Sequence, residues 1–449
     1  MCGIAGLINR SPDASPEETI RRMISRIRHR GPDHEAFWNE GRVWFGHCRL
    51  AIRDLSPAGN QPFISSDGRI VTVYNGEIYN QDQLLRDLER EIGFQPKTSC
   101  DTELIPAAYQ CWGTDAFDRL EGIFALALWD RQNETLVLAR DAFGTKPLYI
   151  WEADGEFGFA SEVKALLQAM SARPELSPPD LAHMLALGYP APDRTLLRNV
   201  RQLPPGTVLV RDRAGTREHR YWAPRRKAEP VGLDAAVDEF RALFQTVVDS
   251  QLVSDVPVGV MQSGGIDSSL ISLSLPPEAD VPLFTARFAN RAHDESDLAE
   301  KLAKRAGRTI EWVDLPEGED LAADFRRSVD AVDGQLADSS LLATFGLSRA
   351  LAARTTVALS GDGADEFFGG YPTYRASRLA NAISPLLPSS LWAMAARGVH
   401  ALAGQSAERV SPAETLYRFL AGLSHDHPHA LWRHYLAPWK RREFYGPSL

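Results

Sequence analysis

Two short stretches carry residues whose types and spacing can do chemistry: "MCGIAG" at 1–6 and "SGGIDSS" at 263–269. In the first, a methionine ahead of a small residue is normally trimmed, which would make Cys2 the leading residue. A single residue then carries both a thiol and a free α-amine. That amine titrates at about 7.7–8.0, so it can accept a proton near neutral pH. The thiolate is the nucleophile and an adjacent base generates it, so the pair needs no histidine. Taken alone, Cys2 reads rather as a small buried residue that happens to follow methionine. In the second stretch the apolar "VPVGVMQ" runs into Ser263, Gly264 and Gly265, and Asp267, Ser268 and Ser269 open a helix. Glycines let the backbone approach an anion, and free N–H groups at a helix start, with hydroxyls, can hold phosphate oxygens. Asp267 beside phosphates needs a bridging cation, which implies Mg²⁺. No lysine follows the glycines, so this is not the Walker pattern. The bland alternative is a Gly-rich turn with a serine cap.

A third stretch, "TVALSGDGADEFFGGYPTYR" (356–375), repeats the logic: an apolar strand ends in Ser360-Gly361, and Asp362, Asp365 and Glu366 follow. Parallel sheets place ligands at the carboxyl ends of their strands, so the two turns are expected to face one site. The alternative is an acidic surface loop.

The elements that must position these residues change character along the chain. Residues 1–210 are rich in short β-type runs, such as "GRIVTVYNGEIYN", "FALALWDR" and "TLVLARD", which predict antiparallel strands. "SPEETIRRMISRIRHRG" reads as a helix capped by Ser15 with Glu18 three residues on and stopped by Gly31. "NQDQLLRDLEREIG" and "DTELIPAAYQCWG" read as two more. This half is α+β, in packed layers. The polar "YWAPRRKAEPVG" (221–232) marks a junction. Beyond it, "LDAAVDEFRALFQTVVDSQL" is a long amphipathic helix, and helices then alternate with "VPVGVMQ", "PLFTARF", "TIEWVDL" and "TTVALSG". That alternation predicts α/β architecture with a parallel sheet. Residues 376–449 read as helical.

Bulk properties narrow the classes. With 449 residues, two domains are expected. The formal net charge of −10, with no long basic run, argues against duplex nucleic-acid binding. Cys2, Cys48, Cys100 and Cys111 show no CxxC spacing, which fits a reducing compartment; the last three lie in or beside apolar runs and read as packing residues. The chain does not open with a basic segment followed by an apolar one, and the apolar stretch at 386–404 contains Pro388, Arg397 and His400 and reads as a helix rather than a membrane span. A cytoplasmic location, no membrane and no nucleic-acid partner are the expectations. "HDHPH" (425–429) reads as a solvated turn, since one helix face cannot gather all three histidines.

"SGGIDSS" together with "LSGDGADEFFGGY" resembles the ATP-pyrophosphatase domain of glutamine-dependent asparagine synthetases, and "RFANRAHDESDLAEKLA" (287–303) matches the same family. The resemblance implies cleavage of ATP between its α- and β-phosphates, an acyl-adenylate on the acceptor carboxylate, and displacement of AMP by an amine. It implies Ser263, Gly264, Gly265, Asp267 and Ser268 on the pyrophosphate, Asp267 and Asp365 on Mg²⁺, and Met261, Ala286, Ser360 and Gly361 around adenine and ribose. "MCGIAG", "RHRGPD", "GHCRLAI", "YNGEIYN", "TSCDTE", "ARDAFGTKPLY" and "FASEVKAL" resemble, in order, the glutaminase domain of the N-terminal-nucleophile amidotransferases, over nearly all of residues 1–170. That resemblance implies layered αββα architecture and a role for Cys2 in attacking glutamine. Arg49 would anchor the substrate carboxylate, Asp101 and Glu77 its ammonium, and the Asn75 side chain with the Gly76 N–H the oxyanion. Read singly, Arg49 is equally a surface ion pair and Asn75-Gly76 a hairpin turn. The expected domains are 1–215 (glutaminase) and 230–449 (synthetase type).

The implied reaction is glutamine-dependent amidation of aspartate. Rival readings are amidation of another carboxylate (a sugar acid or peptide, ring closure included) and a glutaminase or regulatory protein with an impaired second half. Ammonia would cross between the halves by an apolar passage, and a homodimer is a further implication. The match departs from the family at Ala142 and Thr145, at Gly334-Gln335 near the expected acceptor pocket, and at Asp362. Relatives also continue where this chain stops, so the synthetase half is read as lacking its C-terminal end, with its lysine-bearing helical segment.

Overall fold

A computed structural model describes residues 1–8, 15–153, 155–225, 231–287, 296–315, 318–403 and 412–436. Parts of the junction (226–230), of the 287–303 stretch (288–295) and the last 13 residues fall outside that set. The chain divides into two compact units: Met1–Ser177 with Ala191–Gln335 and Ser339–Ser360, and Pro178–Pro190 with Leu336–Asp338 and Gly361–Leu449.

Among the described residues, the first unit contains three sheets. Two are six-stranded and antiparallel throughout. One is built around strand Gly3–Ile8, flanked by Val43–Arg49 and Glu156–Ala160; the other is built around Ile70–Ile78, Gly122–Asp130 and Thr135–Arg140. Strand alternation explains the long apolar runs. Val71, Val73, Ala125, Ala127, Leu136 and Leu138 pack with Ile4 and Phe45 of the other sheet. The intervening Ile70, Tyr74, Leu126, Leu128 and Val137 face helices Gln81–Ile92 and Leu104–Trp112 instead. Both faces are buried, so both must be apolar. On the far side, Ile20, Met23 and Ile24 of helix Pro16–Arg26 cover the first sheet. The result is helix, sheet, sheet, helix, as expected.

Helix ends differ from the sequence reading. Ser15 makes no side-chain cap; its carbonyl accepts instead from the Thr19 N–H (3.1 Å) and hydroxyl (3.1 Å). The helix stops at Arg26, and Arg28–Arg30 forms a 3₁₀ turn before Gly31. That tighter turn matters, because it delivers Arg30 to the N-terminus.

The third sheet is parallel, in the order Ile310–Asp314, Leu283–Arg287, Val258–Met261, Val357–Leu359. Val260, Leu283 and Ile271 lie in its core with Val248 of helix Leu233–Gln251. This is the α/β architecture the alternation predicts. The second unit is helical in the described residues: Pro178–Leu187, Ala364–Phe368, Pro372–Ile383, Ser389–Ala403, Pro412–Leu423 and Pro428–Trp432, with short 3₁₀ turns. Ala396, Tyr417 and Ala421 form its small core. Among the described residues no helix is long and apolar enough to cross a membrane.

Candidate functional site

A cavity opens where strand Gly3–Ile8 begins. Cys2, Arg49, Asn75, Gly76, Glu77 and Asp101 all line it. Strand pairing explains the convergence. Gly3 pairs with Cys48, which puts Cys2 beside the end of Val43–Arg49. Asn75, Gly76 and Glu77 sit inside strand Ile70–Ile78, opposite Ala125, Phe124 and Ile123. The hairpin-turn alternative for Asn75-Gly76 is therefore excluded. A Cβ on Gly76 would stand 2.3 Å from the Ile123 carbonyl oxygen, so only glycine fits there.

The Leu50 N–H points at the Cys2 Sγ (3.4 Å), and Sγ faces the Leu50 carbonyl (3.6 Å). Burial pushes the Cys2 thiol up, so it rests protonated and needs a base at the moment of attack. Burial pushes the chain's α-amine, here on Met1, down to about 6. No histidine lines the cavity among the described residues. The Asn75 Nδ2 has no hydrogen-bond partner although the residue is buried. A buried donor left unsatisfied costs about 1–3 kcal/mol, so its retention asks for a ligand.

Arg49 is buried rather than a surface ion pair. Its Nη1 donates to the Ser56 carbonyl (2.8 Å) and Asn60 Oδ1 (2.8 Å), and its Nη2 to the carbonyls of Arg53 (3.2 Å) and Asp54. All four acceptors are neutral oxygens, so the positive charge is presented to the cavity unneutralised by them. Asp101 Oδ2 accepts from the Tyr74 hydroxyl (2.8 Å) and the Ile78 N–H (3.0 Å). Burial pushes Asp101 up, and burial reinforced by the Asp101 charge pushes Glu77 up to about 8. Two neighbouring carboxylates with raised affinity for a proton are well suited to an ammonium.

Several lining residues, and Arg30 beside Cys2, escaped the sequence reading. Arg53 Nε lies 3.5 Å from Glu77 Oε2, while Nη1 donates to Gln81 Oε1 (2.8 Å). Lys146 reaches the cavity on a loop pinned by Asp141, whose carboxylate accepts from the N–H groups of Phe143, Thr145 and Lys146. Arg30 Nε donates to the Cys2 carbonyl (3.0 Å). Arg30 and Lys146 lie inside "RHRGPD" and "ARDAFGTKPLY", but nothing local in those segments marks them as site residues.

The phosphate-type loop lies elsewhere in the first unit, at the carboxyl end of Val258–Met261. Gly264 has φ +83°, a left-handed turn that favours glycine. The Ser263 and Ser268 hydroxyls meet at 3.1 Å, and the Gly265 N–H donates to Ser263 Oγ (3.2 Å). Met261 ends its strand and Ala286 lies on the neighbouring one; both are half-buried. Ser360 follows Val357–Leu359, which pairs in parallel with the loop's own strand. Asp267 opens helix Ile266–Ser274 and is half-buried. The hydroxyls and one carboxylate are hard-oxygen donors, and the backbone N–H groups suit phosphate oxygens. Mg²⁺ is commonly held by one or two carboxylates plus substrate phosphates and water, so the donors present fit it. Gly361 and Asp365 belong to the second unit, where Asp365 is half-buried and the Glu366 carboxylate accepts from the Tyr371 hydroxyl (2.7 Å). His429 of the "HDHPH" stretch bonds Ser377 Oγ through Nδ1 (2.9 Å).

Comparison with known proteins matches residues 1–222 to the glutamine amidotransferase domain family and residues 239–442 to the asparagine synthase family. Asparagine synthetase [glutamine-hydrolyzing] 1 of Bacillus subtilis is 34% identical over 84% of this chain and 60% of its own length. A putative asparagine synthetase of Mycobacterium tuberculosis is 35% identical over 84% of the chain and 61% of its own. Amidase chry2 of Gibberella zeae is 31% identical, over 91% and 65%. The chain thus spans about three fifths of the length of the asparagine synthetases it matches. With a glutamine amidotransferase domain joined to an asparagine synthase domain, it belongs to the family of glutamine-hydrolysing asparagine synthetases.

Proposed function

We propose that the chain hydrolyses glutamine at Cys2 and passes ammonia to a carboxylate activated by ATP, with aspartate as acceptor and asparagine, glutamate, AMP and pyrophosphate as products. The observation that carries the first half is the convergence on one cavity of a thiol, an unpaired buried amide, a cation and two carboxylates. Loss of Met1 would leave the α-amine on Cys2 itself, where it takes the thiol proton. The Asn75 Nδ2 and the Gly76 N–H meet the developing oxyanion. The Arg49 charge holds the glutamine carboxylate, and Glu77 and Asp101 hold its ammonium.

For the second half, support comes from family membership and from the hard-oxygen loop. Ser263, Gly264, Gly265 and Ser268 are assigned to the pyrophosphate of ATP, Met261, Ala286 and Ser360 to its nucleoside, and Asp267 to Mg²⁺. Bound there, the metal would neutralise phosphate charge. The family resemblance also assigns Gly361 to the nucleotide and Asp365 to the metal. A cytoplasmic site of action agrees with four free cysteines. A homodimer rests on the resemblance alone.

Amidation of a different acid is the second reading. It rests on the departure from the family pattern at Gly334-Gln335; the Gln335 amide oxygen accepts from the Leu196 N–H (3.1 Å) and its nitrogen donates to the Asp333 carbonyl (3.2 Å). Measuring glutamine-dependent release of pyrophosphate with aspartate decides between them. Aspartate-dependent release supports asparagine formation. Release only with another carboxylic acid supports the second reading, and none with any acid overturns the synthetase half.

A further inference from the structure

Four side chains, each more than nine-tenths buried, alternate in sign between the second half of the sequence and the N-terminus. Asp333 Oδ2 accepts from the Val163 N–H (2.6 Å), and Oδ1 lies 3.4 Å from Lys164 Nζ. Lys164 Nζ donates to the Asp330 carbonyl (2.6 Å) and stands 3.0 Å from Glu162 Oε2. Glu162 Oε1 accepts from Arg30 Nη1 (2.7 Å) and faces His29 Nε2 (3.0 Å). Arg30 Nε then donates to the Cys2 carbonyl. Each buried charge is tolerable only because the next one pairs with it, so removing one uncompensates its neighbour. The first member sits in a left-handed backbone turn, with φ +54° at Asp333 and +66° at Gly334. The Gln335 amide oxygen ties the same turn to the Leu196 N–H. Beside Glu162, Ser161 holds the Cys2 strand twice: its hydroxyl accepts from the Ile4 N–H (3.0 Å), and its own N–H donates to the Ile4 carbonyl (2.9 Å).

We propose that Asp333 is a positioning residue for the Cys2 nucleophile, acting through Lys164, Glu162 and Arg30, so that a turn in the asparagine synthase segment sets the rate of glutamine cleavage. This rests on the reading of Cys2 as the glutamine nucleophile. Asp333 touches no reacting atom. Its charge fixes Lys164, which fixes Glu162, which orients the guanidinium on the carbonyl of the residue that attacks. A displaced Cys2 still leaves Arg49, Glu77 and Asp101 in place, so substrate binding is preserved while the attack geometry is lost.

The test uses the full chain with Asp333→Asn, Lys164→Met and the double variant. Glutamate release should show kcat down about tenfold in each single variant with KM within about twofold, and the double variant no worse than either single. Alkylation of Cys2 by iodoacetamide, read as the mass of the N-terminal peptide, needs no turnover and should slow severalfold in both. Wild-type kcat and alkylation in both singles, losses that multiply in the double, or a rise in KM alone would overturn the proposal. Absent wild-type turnover, or turnover that survives Cys2→Ala, would instead count against the glutaminase reading. The two failures are therefore distinguishable.

Discussion

The cavity at Cys2 and the loop at 263–268 are built by opposite means. The cavity is assembled from strands buried on both faces, so sheet register fixes Cys2, Asn75, Gly76 and Glu77 to one another before any ligand arrives. Its charged groups pay for that burial in altered proton affinity: Glu77 and Asp101 are pushed up and the α-amine down. The loop at 263–268 hangs from strands of only three to five residues, with Ser263 and Ser360 exposed and Asp267 half-buried. There the hydroxyls bond one another, and phosphate with its cation would supply the missing charge. Scission of a neutral amide needs a preformed oxyanion site, whereas a polyanion brings its own ordering force.

Perturbations sharpen that contrast, and the largest effect belongs to the nucleophile. Cys2→Ala should lower glutamate release by at least about a thousandfold. Next, Asn75→Ala should cost about a hundred- to thousandfold in kcat with little change in KM, as expected for a donor used only in the transition state. In the other region, Asp267→Asn should lower pyrophosphate release about a hundredfold, while glutamine hydrolysis falls far less. Arg49→Lys should raise the KM for glutamine about tenfold, since lysine keeps the charge but cannot donate to all four of the oxygens that Arg49 holds. The smallest effect is on pH dependence. Glu77 titrates near 8 when folded and near 4.3 when unfolded. Between those values the folded form binds the extra proton, so this group's contribution to stability falls as pH rises through that window. Glu77→Gln should flatten the corresponding decline in Tm, and in the wild type the KM for glutamine should fall as Glu77 ionises around pH 8.

The architecture was legible because periodicity is local. "FALALWD" and "TLVLAR" are continuous apolar runs since each strand is covered on two sides, and the alternation after residue 232 announced the parallel sheet. Boundaries were less legible: the Ser15–Glu18 spacing suggested a capping box, yet the backbone of Ser15 does that work and the helix gives way to a 3₁₀ turn at Arg28. Residues proposed for the cavity were found through motifs, and their mutual placement came from register, which no single motif encodes. Arg53 and Lys146 escaped because their roles depend on loops pinned by Gln81 and Asp141. Asp333 lies 170 positions from its partner Val163 and carries no local signal at all.

The central claim is that the N-terminal thiol becomes covalently acylated by glutamine with its own amine as base. Quenching the wild-type protein in acid during turnover and weighing its N-terminal peptide tests this directly. The account predicts a peptide that begins at Cys2 and is heavier by one glutamyl group. A peptide that retains Met1, or a thiol that stays unmodified in a Cys2-dependent manner of turnover trapped under the same quench, would contradict it.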